Sequence, residues 1–200
     1  MDQIMNKEKI ERFRIALAEE SDFPMTDDLY DYIMQNGTYV EYEKGSPIVD
    51  IGDYNPDIYI VLDGIVRGYM IDKGNETNMY FGLEGTVVNS MQCFSTSNPS
   101  IIRIEACCLT KVHHIYKSTF DRMMVESNDF CRWVAGMFAR RNAYAELKAK
   151  IMNGDALWRY EWLEKCRKEL FEHVPLKAIA SYLNMTEVHV SRIRKKIAGN

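Results

Sequence analysis

The stretch PLKAIASYLNMTEVHVSRIRKKI, residues 175–197, contains two short helical periods separated by a break. Apolar residues recur at intervals of three and four in its first half, which predicts a helix beginning near Pro175. Asn184 interrupts the pattern, and Asn tolerates the left-handed backbone that a tight turn often needs. Thr186 has the hydroxyl that commonly caps a following helix. The stretch therefore predicts two helices joined by a short turn.

The second predicted helix is amphipathic, with cations opposite its apolar stripe. Val190, Ile193 and Ile197 form the stripe, given a rotation of about 100° per residue. Two compact helices of which the second exposes cations are typical of a helix-turn-helix, whose second helix enters the DNA major groove. An ordinary amphipathic helix pair with a solvated basic face is the alternative. The residues that we predict to contact DNA are Thr186, Glu187, Val188, His189, Ser191, Arg192, Lys195 and Lys196.

The composition predicts a folded protein with one medium and one small domain. Of the 200 residues, 46% are hydrophobic and 12% aromatic, which is enough for a sizeable core. No apolar run approaches the roughly 20 residues that span a bilayer, and the polar N-terminus gives no signal peptide. We therefore predict a cytoplasmic protein with no membrane partner. Five cysteines without CxxC spacing predict reduced thiols and no metal site.

The charge is unevenly distributed along the chain. Residues 1–150 carry 16 Lys and Arg against 23 Asp and Glu, a net charge of −7. Residues 151–200 carry 9 against 6, a net charge of +3. Local potential decides DNA binding, because the Debye length is only about 10 Å. An acidic body with a basic C-terminal end suits a protein that contacts nucleic acid through that end.

The first half of the chain changes from a helical to an alternating pattern. Residues 4–19 have helical spacing, and Thr26 is expected to cap a second helix. Short β-rich runs follow from residue 38 to residue 116 at spacings of about 8–12 residues, which predicts an antiparallel double-sheet roll of about eight strands. Asp63-Gly64 is a two-residue hairpin signal between two runs, and Lys73-Gly74-Asn75 predicts the next turn.

A long helix is predicted between the roll and the C-terminal helices. Ser118 is expected to cap a short helix, Ser127 precedes the long one, and Asn153-Gly154 ends it. We predict an α+β protein with a sensor domain at 1–126, the long helix at 127–153 and a helix-turn-helix domain at 154–200. The apolar stripe of the long helix consists of Phe130, Val134, Met137, Tyr144 and Ile151.

This order of elements resembles the Crp/Fnr family of bacterial regulators, typified by the cyclic-AMP receptor protein. Lys44-Gly45, Asp63-Gly64-Ile65-Val66, Asn153-Gly154-Asp155 and residues 176–197 carry the resemblance. It implies a cyclic-nucleotide-binding-like double-stranded β-roll, a dimerisation helix containing the apolar stripe, and a C-terminal winged-helix-like helix-turn-helix. It also implies a homodimeric, sequence-specific transcription regulator. Its partners would be double-stranded DNA and a second copy of the chain, with RNA polymerase as a further candidate.

The resemblance assigns roles within the second helix of the motif. Arg192 is the best candidate for reading a base, because its guanidinium can donate twice to a guanine and the aligned family residue does so. Val188 could meet a thymine methyl group. Glu187 could accept from a cytosine amino group or favour the helix N-terminus electrostatically. Lys195 and Lys196 are expected to contact phosphates, which sets affinity and salt dependence rather than sequence preference.

The candidate ligand pocket departs from the family pattern. Nucleotide-binding members have a Gly-Glu pair followed by an Arg-Ser or Arg-Thr pair. Here Asn89-Ser90 stands where Gly-Glu is expected, and the position of the arginine falls near Ser100. A phosphate without a cationic partner loses charge-assisted bonds of roughly 1.5–3 kcal/mol each. We therefore expect no response to cyclic AMP and no cofactor, with another effector or none.

Two other functional classes remain as alternatives. The chain could be a small-molecule-binding or scaffold protein whose C-terminal helices mediate protein contact, although interface cores are depleted in cations such as Lys195. An enzyme on a cupin-like roll would need metal-ligand spacing that is not present. We predict no catalytic residue.

Overall fold

The computed structural model describes residues 7–198, and it begins with two helices. These are α1 (Lys7–Ala18) and α2 (Asp27–Gln35). Thr26 caps α2 as predicted, since its hydroxyl accepts a hydrogen bond from the Leu29 N–H at 3.2 Å. The helix predicted over 4–19 is confirmed for residues 7–18, while residues 4–6 lie outside the described part of the chain.

Two four-stranded antiparallel sheets follow and confirm the predicted roll. One has the strand order β1-β8-β3-β6, and the other has β2-β7-β4-β5. The eight strands are β1 (Thr38–Tyr42), β2 (Pro47–Val49), β3 (Ile58–Asp63), β4 (Val66–Asp72), β5 (Asn75–Gly82), β6 (Val87–Val88), β7 (Arg103–Ala106) and β8 (Thr110–Ile115).

The hairpin predicted at Asp63-Gly64 is wrong. The strands on either side, β3 and β4, lie in different sheets, so these residues carry the chain from one sheet to the other. Gly64 has φ +94°, and a Cβ atom there would come within 2.7 Å of the Leu109 carbonyl oxygen. The turn predicted at Lys73-Gly74 is confirmed as a two-residue β-hairpin, with φ values of 49° and 81°.

Three helices pack around the roll. They are α3 (Met91–Thr96), α4 (Lys117–Glu126) and α5 (Asn128–Met152). The predicted long helix is confirmed as α5, and the Ser127 hydroxyl accepts from the Phe130 N–H at 3.2 Å. The predicted cap at Ser118 is wrong, because α4 begins at Lys117 and Tyr116 holds the cap position without a side-chain bond. The short helix α3 was not predicted.

The C-terminal region is helical throughout its described residues. It contains α6 (Ala156–Cys166), α7 (Leu170–His173), α8 (Leu176–Tyr182) and α9 (Glu187–Ala198). The Asp155 carboxylate caps α6 by accepting from the Trp158 N–H at 2.8 Å. No strand occurs between residues 154 and 198, so the wing expected of a winged helix is not found there. The predicted domain boundaries remain predictions.

Three apolar clusters hold these layers together. The first lies between the sheet β1-β8-β3-β6 and the helices α1, α2, α4 and α5, with Phe13, Ile60 and Phe130 fully buried. The second fills the space between the two sheets. The third joins the C-terminal helices to Ile65 and Phe81 of the roll. Within residues 7–198, no helix is long and apolar enough to cross a bilayer, and no group of three His, Cys, Asp or Glu side chains could hold a metal ion.

Candidate nucleic-acid interface

The turn between α8 and α9 has the geometry predicted from its residues. Asn184 adopts a left-handed conformation, with φ 53°. The Met185 N–H then donates to the Ala180 carbonyl at 2.9 Å. The Thr186 hydroxyl accepts from the His189 N–H at 3.3 Å, which places it at the start of α9. The two predicted helices and their connection are therefore confirmed.

A shared core fixes α8 and α9 relative to each other. Ile179 in α8 and Leu183 just after it pack with Val190 and Ile193 in α9, and all four residues are buried. Leu163 and Leu170 from α6 and α7 complete the cluster. Ile197, which was expected in the buried stripe, is exposed instead, because α9 extends beyond the helices that cover its first two turns.

The predicted DNA-contacting residues lie on the uncovered surface of α9 and the turn before it. Val188 is 60% exposed, an unusual position for a β-branched apolar side chain in the middle of a polar surface. In the described part of the chain, Arg192, Lys195 and Lys196 form no ion pair or side-chain hydrogen bond, so their charges are available to an external anion. Ser191 is half-buried, and the remaining members, Thr186, Glu187, His189, Arg192, Lys195 and Lys196, are exposed.

The three predicted pocket residues come together, and all three are buried. The Ser90 and Ser100 hydroxyl oxygens lie 2.8 Å apart, and the two residues are 0% and 2% exposed. Ser100 also donates to the Ile102 carbonyl at 2.7 Å, so Ser90 is the donor between the two hydroxyls. The neighbouring Asn89 is buried as well. Ser90 and Ser100 stand where the resemblance leads us to expect a glutamate and an arginine, and these two positions are called the cassette positions. The hydroxyls there bond to each other.

An arginine from α5 closes the same region from the other side. Arg141 donates to the Val87 carbonyl and, at 3.4 Å, to the Asn89 side-chain oxygen. Its guanidinium lies 3.8 Å from the Glu20 carboxylate. Burial lowers the pKa of Arg141 and raises the pKa of Glu20. The sequence signals this role only by placing a cation, Arg141, between Met137 and Tyr144 of the apolar stripe.

Tyr80 fills the roll beside this arginine. Its ring packs directly against Gly68, where a Cβ atom would collide with it. Within residues 7–198 its hydroxyl has no hydrogen-bond partner, and burial raises the pKa of that hydroxyl. The space next to the cassette is therefore occupied by the chain's own aromatic side chain.

The apolar stripe of α5 faces its own chain. Phe130, Val134 and Met137 pack into the core against the roll, and Ile151 is buried. Tyr144 is half-buried, and its hydroxyl lies 3.0 Å from that of Tyr182. These five residues are therefore engaged within the chain, and the dimerisation helix that contains them stays a prediction.

A different surface of α5 is uncovered. Ala135, Ala139 and Ala143 recur every four residues on this surface and are exposed, and Leu147 follows them. Ala143 and Leu147 also line a cleft of about 1490 Å³ that lies between α5, the roll and the C-terminal helices. The surface of α5 available to a partner is thus made of small residues rather than of the aromatic stripe.

Comparisons with known proteins agree with this architecture. Residues 39–127 match the family model described as "Cyclic nucleotide-binding domain". FixK2 from Bradyrhizobium japonicum is similar in structure, with a TM-score of 0.67 and 21% identity over 82% of this chain and 85% of that one. The catabolite activator protein of Thermus thermophilus has a TM-score of 0.57 and 17% identity over 92% and 87%. The chain has the Crp/Fnr fold.

A third neighbour shows how far sequences with the Crp/Fnr fold diverge. It is the c-di-GMP-responsive global regulator CLP of Xanthomonas campestris, with a TM-score of 0.65 and 14% identity over 85% of this chain and 90% of that one. No curated protein sequence matches the chain. The resemblance to Crp/Fnr regulators that was inferred from element order and motifs is confirmed at the level of the fold.

Proposed function

We propose that the protein is a homodimeric, sequence-specific DNA-binding transcription regulator of the Crp/Fnr type. The observation that carries this proposal is the unpaired cationic surface of α9, with Arg192 and Lys195 exposed on a helix held by a buried core. A rigid helix that presents unneutralised cations and an exposed Val188 matches what major-groove recognition requires. We expect it to act in the cytoplasm, with RNA polymerase as a further candidate partner.

Dimerisation is supported by the uncovered surface of α5. Alanines at Ala135, Ala139 and Ala143 would let a second helix approach closely, and Leu147 would add apolar contact at one edge. A dimer presents two recognition helices to successive major grooves, about 34–36 Å apart along the duplex. We therefore propose that a second copy of this chain packs along α5.

The proposed regulator does not use cyclic AMP. A cyclic nucleotide needs a cation for its phosphate, whereas the cassette positions hold the buried and mutually bonded Ser90 and Ser100. Tyr80 occupies adjacent space inside the roll. The fold accommodates other effectors, since CLP is c-di-GMP-responsive. We propose that the effector is another molecule or that none is needed, with no resident cofactor.

Binding titrations on two duplexes test the function. A preferred duplex is first selected from a random pool by the wild-type protein, and a scrambled version serves as the non-specific duplex. Because the proposed dimer carries two copies of Arg192, Arg192→Ala should weaken binding to the selected duplex about 5- to 100-fold for each half-site, the effect of losing one bidentate base contact there. It should leave binding to the scrambled duplex nearly unchanged. Lys195→Ala should weaken both duplexes similarly, as expected for a phosphate contact.

The control variant is Lys44→Ala, which removes an exposed cation from the roll. It should bind both duplexes like the wild type. Equal losses for Arg192→Ala and Lys195→Ala on both duplexes would contradict the assignment of base reading to Arg192.

The alternative of a protein-contact or small-molecule-binding scaffold makes a different prediction. If α9 binds DNA, the protein should retard a random duplex, and this binding should weaken as the salt concentration rises. Each phosphate contact should make the slope of log affinity against log salt steeper by about 0.9. If α9 binds a protein instead, the duplex should not be retarded in this salt-dependent way. A gel shift at several salt concentrations separates the two. We propose no catalytic activity.

A further inference from the structure

Strand β5 is at the edge of its sheet, yet helices cover its free side. In the order β2-β7-β4-β5, only β4 pairs with β5, so the other side of β5 presents unpaired backbone groups. The Asn78 N–H and the carbonyls of Glu76, Met79 and Phe81 all bond to side chains from the helical region that follows the roll. The edge is thus closed by side chains instead of by another strand.

Ser181 in α8 bonds to two of these backbone groups at once. Its hydroxyl accepts from the Asn78 N–H at 3.0 Å and donates to the Glu76 carbonyl at 2.9 Å. One hydroxyl therefore replaces the donor and acceptor that a neighbouring strand would supply. Because Ser181 lies in the first helix of the helix-turn-helix, these bonds connect the DNA-binding unit directly to the sheet.

Lys148 in α5 makes the adjacent contact. Its ammonium group donates to the Met79 carbonyl at 2.5 Å and lies 4.0 Å from the centre of the Tyr182 ring. The Tyr182 hydroxyl is 3.0 Å from that of Tyr144, which is also on α5. Burial, with a contribution from Arg167, lowers the pKa of Lys148 to about 8. The long helix therefore contacts both the sheet edge and α8.

Arg167 and Phe81 complete the arrangement. Arg167, which follows α6, donates to the Phe81 carbonyl at 2.8 Å. The Phe81 ring packs against Tyr182 with a centroid distance of 5.1 Å. Ser181, Tyr182, Lys148 and Arg167, with the edge of β5, are here called the edge clamp.

We propose that the edge clamp is a positioning device that fixes the helix-turn-helix relative to α5 and thereby sets the half-site spacing that a dimer can bind. This inference rests on the proposed function. Tyr144 and Lys148 belong to the helix on which the second copy would pack, so the clamp relates each recognition helix to the dimer axis. The role of Ser181, Tyr182 and Lys148 is positioning, since they lie against the roll and not on the exposed surface of α9.

The edge clamp should affect only the binding of a dimer to two half-sites at once. Two recognition helices held at a fixed separation bind a duplex with matching half-sites without losing orientational freedom on binding. When they are free to move, the effective concentration of the second helix at its half-site falls, while each helix still binds one half-site equally well. The clamp should therefore affect affinity for paired half-sites and its dependence on spacing, and leave single half-site affinity unchanged.

The experiment compares three duplexes. The first carries two half-sites at the selected spacing, the second carries the same half-sites separated by 5 extra base pairs, and the third carries one half-site. The wild type should lose affinity at least about 10-fold when the spacing changes, because half a helical turn moves one site to the opposite side of the duplex. The variant Ser181→Ala with Lys148→Met should bind the paired sites about 10-fold more weakly than the wild type. It should show much less dependence on spacing and unchanged half-site binding.

Two further variants separate positioning from loss of folding. Ser181→Thr keeps a hydroxyl and should restore the wild-type spacing profile. Ser118→Ala removes an exposed hydroxyl elsewhere and should change nothing. Backbone hydrogen exchange tests the clamp without DNA: the Asn78 amide should be protected in the wild type and exchange at least about 10-fold faster in Ser181→Ala, with β3 amides unchanged.

The possible failures are distinct. A wild type that binds no duplex overturns the proposed function and the positioning role together. A wild type that binds DNA, with a double variant that keeps its spacing profile, overturns the positioning role alone. An Asn78 amide that exchanges as fast as an exposed loop amide in the wild type overturns the clamp itself.

Discussion

The Ser90 and Ser100 hydroxyls form a hydrogen bond of 2.8 Å inside the roll, where both residues are buried. Nucleotide-binding Crp/Fnr regulators, which the sequence resembles, have a glutamate and an arginine at the matching positions. Two neutral hydroxyls satisfy each other in a buried site without the desolvation cost of an ion pair. The hydroxyl pair thus stabilises the closed form of the cassette.

A double-mutant cycle tests this pair. Ser90→Ala and Ser100→Ala should each lower the free energy of unfolding by about 1–2 kcal/mol, because each leaves the other hydroxyl or a backbone group unsatisfied. The double variant should be less destabilised than the sum of the two by about 1 kcal/mol. Urea unfolding measures all four proteins. Strict additivity would show that the two hydroxyls are not coupled.

Cyclic AMP should not bind to the wild-type protein at micromolar concentrations. Ser90 and Ser100 supply no cation for the phosphate, Arg141 is bonded within the chain, and Tyr80 occupies adjacent space in the roll. Isothermal titration calorimetry should show only the heat of dilution. A saturable heat with a micromolar dissociation constant would overturn both the closed-cassette interpretation and the proposed absence of a cyclic-AMP response.

Ala139→Glu should dissociate the proposed dimer. The substitution places a carboxylate in the middle of the small-residue surface of α5, where its charge would be desolvated in the dimer. If the two α5 helices pair in parallel, the carboxylate of the second copy would lie nearby. Sedimentation velocity should show a shift toward the monomer. Val125→Glu is the matched control, since Val125 is 88% exposed on α4 and its replacement should leave the dimer intact. An unchanged Ala139→Glu dimer would place the interface elsewhere.

His113 should make the fold less stable in mild acid. Its Nε2 donates to the Ile33 carbonyl at 3.1 Å, and burial lowers the pKa of the imidazole below its ordinary value of about 6.5. Because the unfolded chain binds the proton more readily, the stability due to neutral His113 is present above about pH 6.5 and is lost as the pH falls through the lowered folded pKa.

Comparison with His113→Gln isolates this contribution, since glutamine keeps an N–H donor but does not titrate. Between pH 7 and pH 5 the wild type should lose more unfolding free energy than the variant, by at most about 1.4 kcal/mol per pH unit. Urea unfolding at several pH values gives the difference. Parallel pH profiles for the two proteins would show that His113 titrates normally.

Local sequence patterns predicted most individual helices and strands correctly, but they did not always predict which strands pair in a sheet. The turn at Asn184 and the cap at Thr186 depend on residues within a few positions, so the helix-turn-helix could be predicted in detail. Asp63-Gly64 has the composition of a hairpin turn, but the sheet that the next strand joins depends on β7 and β8, which come much later in sequence. Helix α3 has only six residues, too few for a helical period to stand out.

The candidate site was predicted in part for similar reasons. The sequence showed that Ser90 and Ser100 replace a charged pair, but their mutual bond depends on how the chain folds between them. It showed that α5 has an apolar stripe, but not that the roll would cover that stripe and leave the alanines uncovered. The contact of Ser181 with Asn78 spans 103 residues and has no local signal.

The coverage of β5 has a consequence for truncated forms of the protein. A fragment lacking the C-terminal helices would leave the Asn78 N–H and the Glu76 and Phe81 carbonyls without their side-chain partners. These three groups lie along one edge strand, which invites self-association through intermolecular sheet formation. The sensor half is therefore expected to be prone to aggregation when produced alone. During synthesis it would pass through this vulnerable stage until the helices that cover β5 emerge from the ribosome.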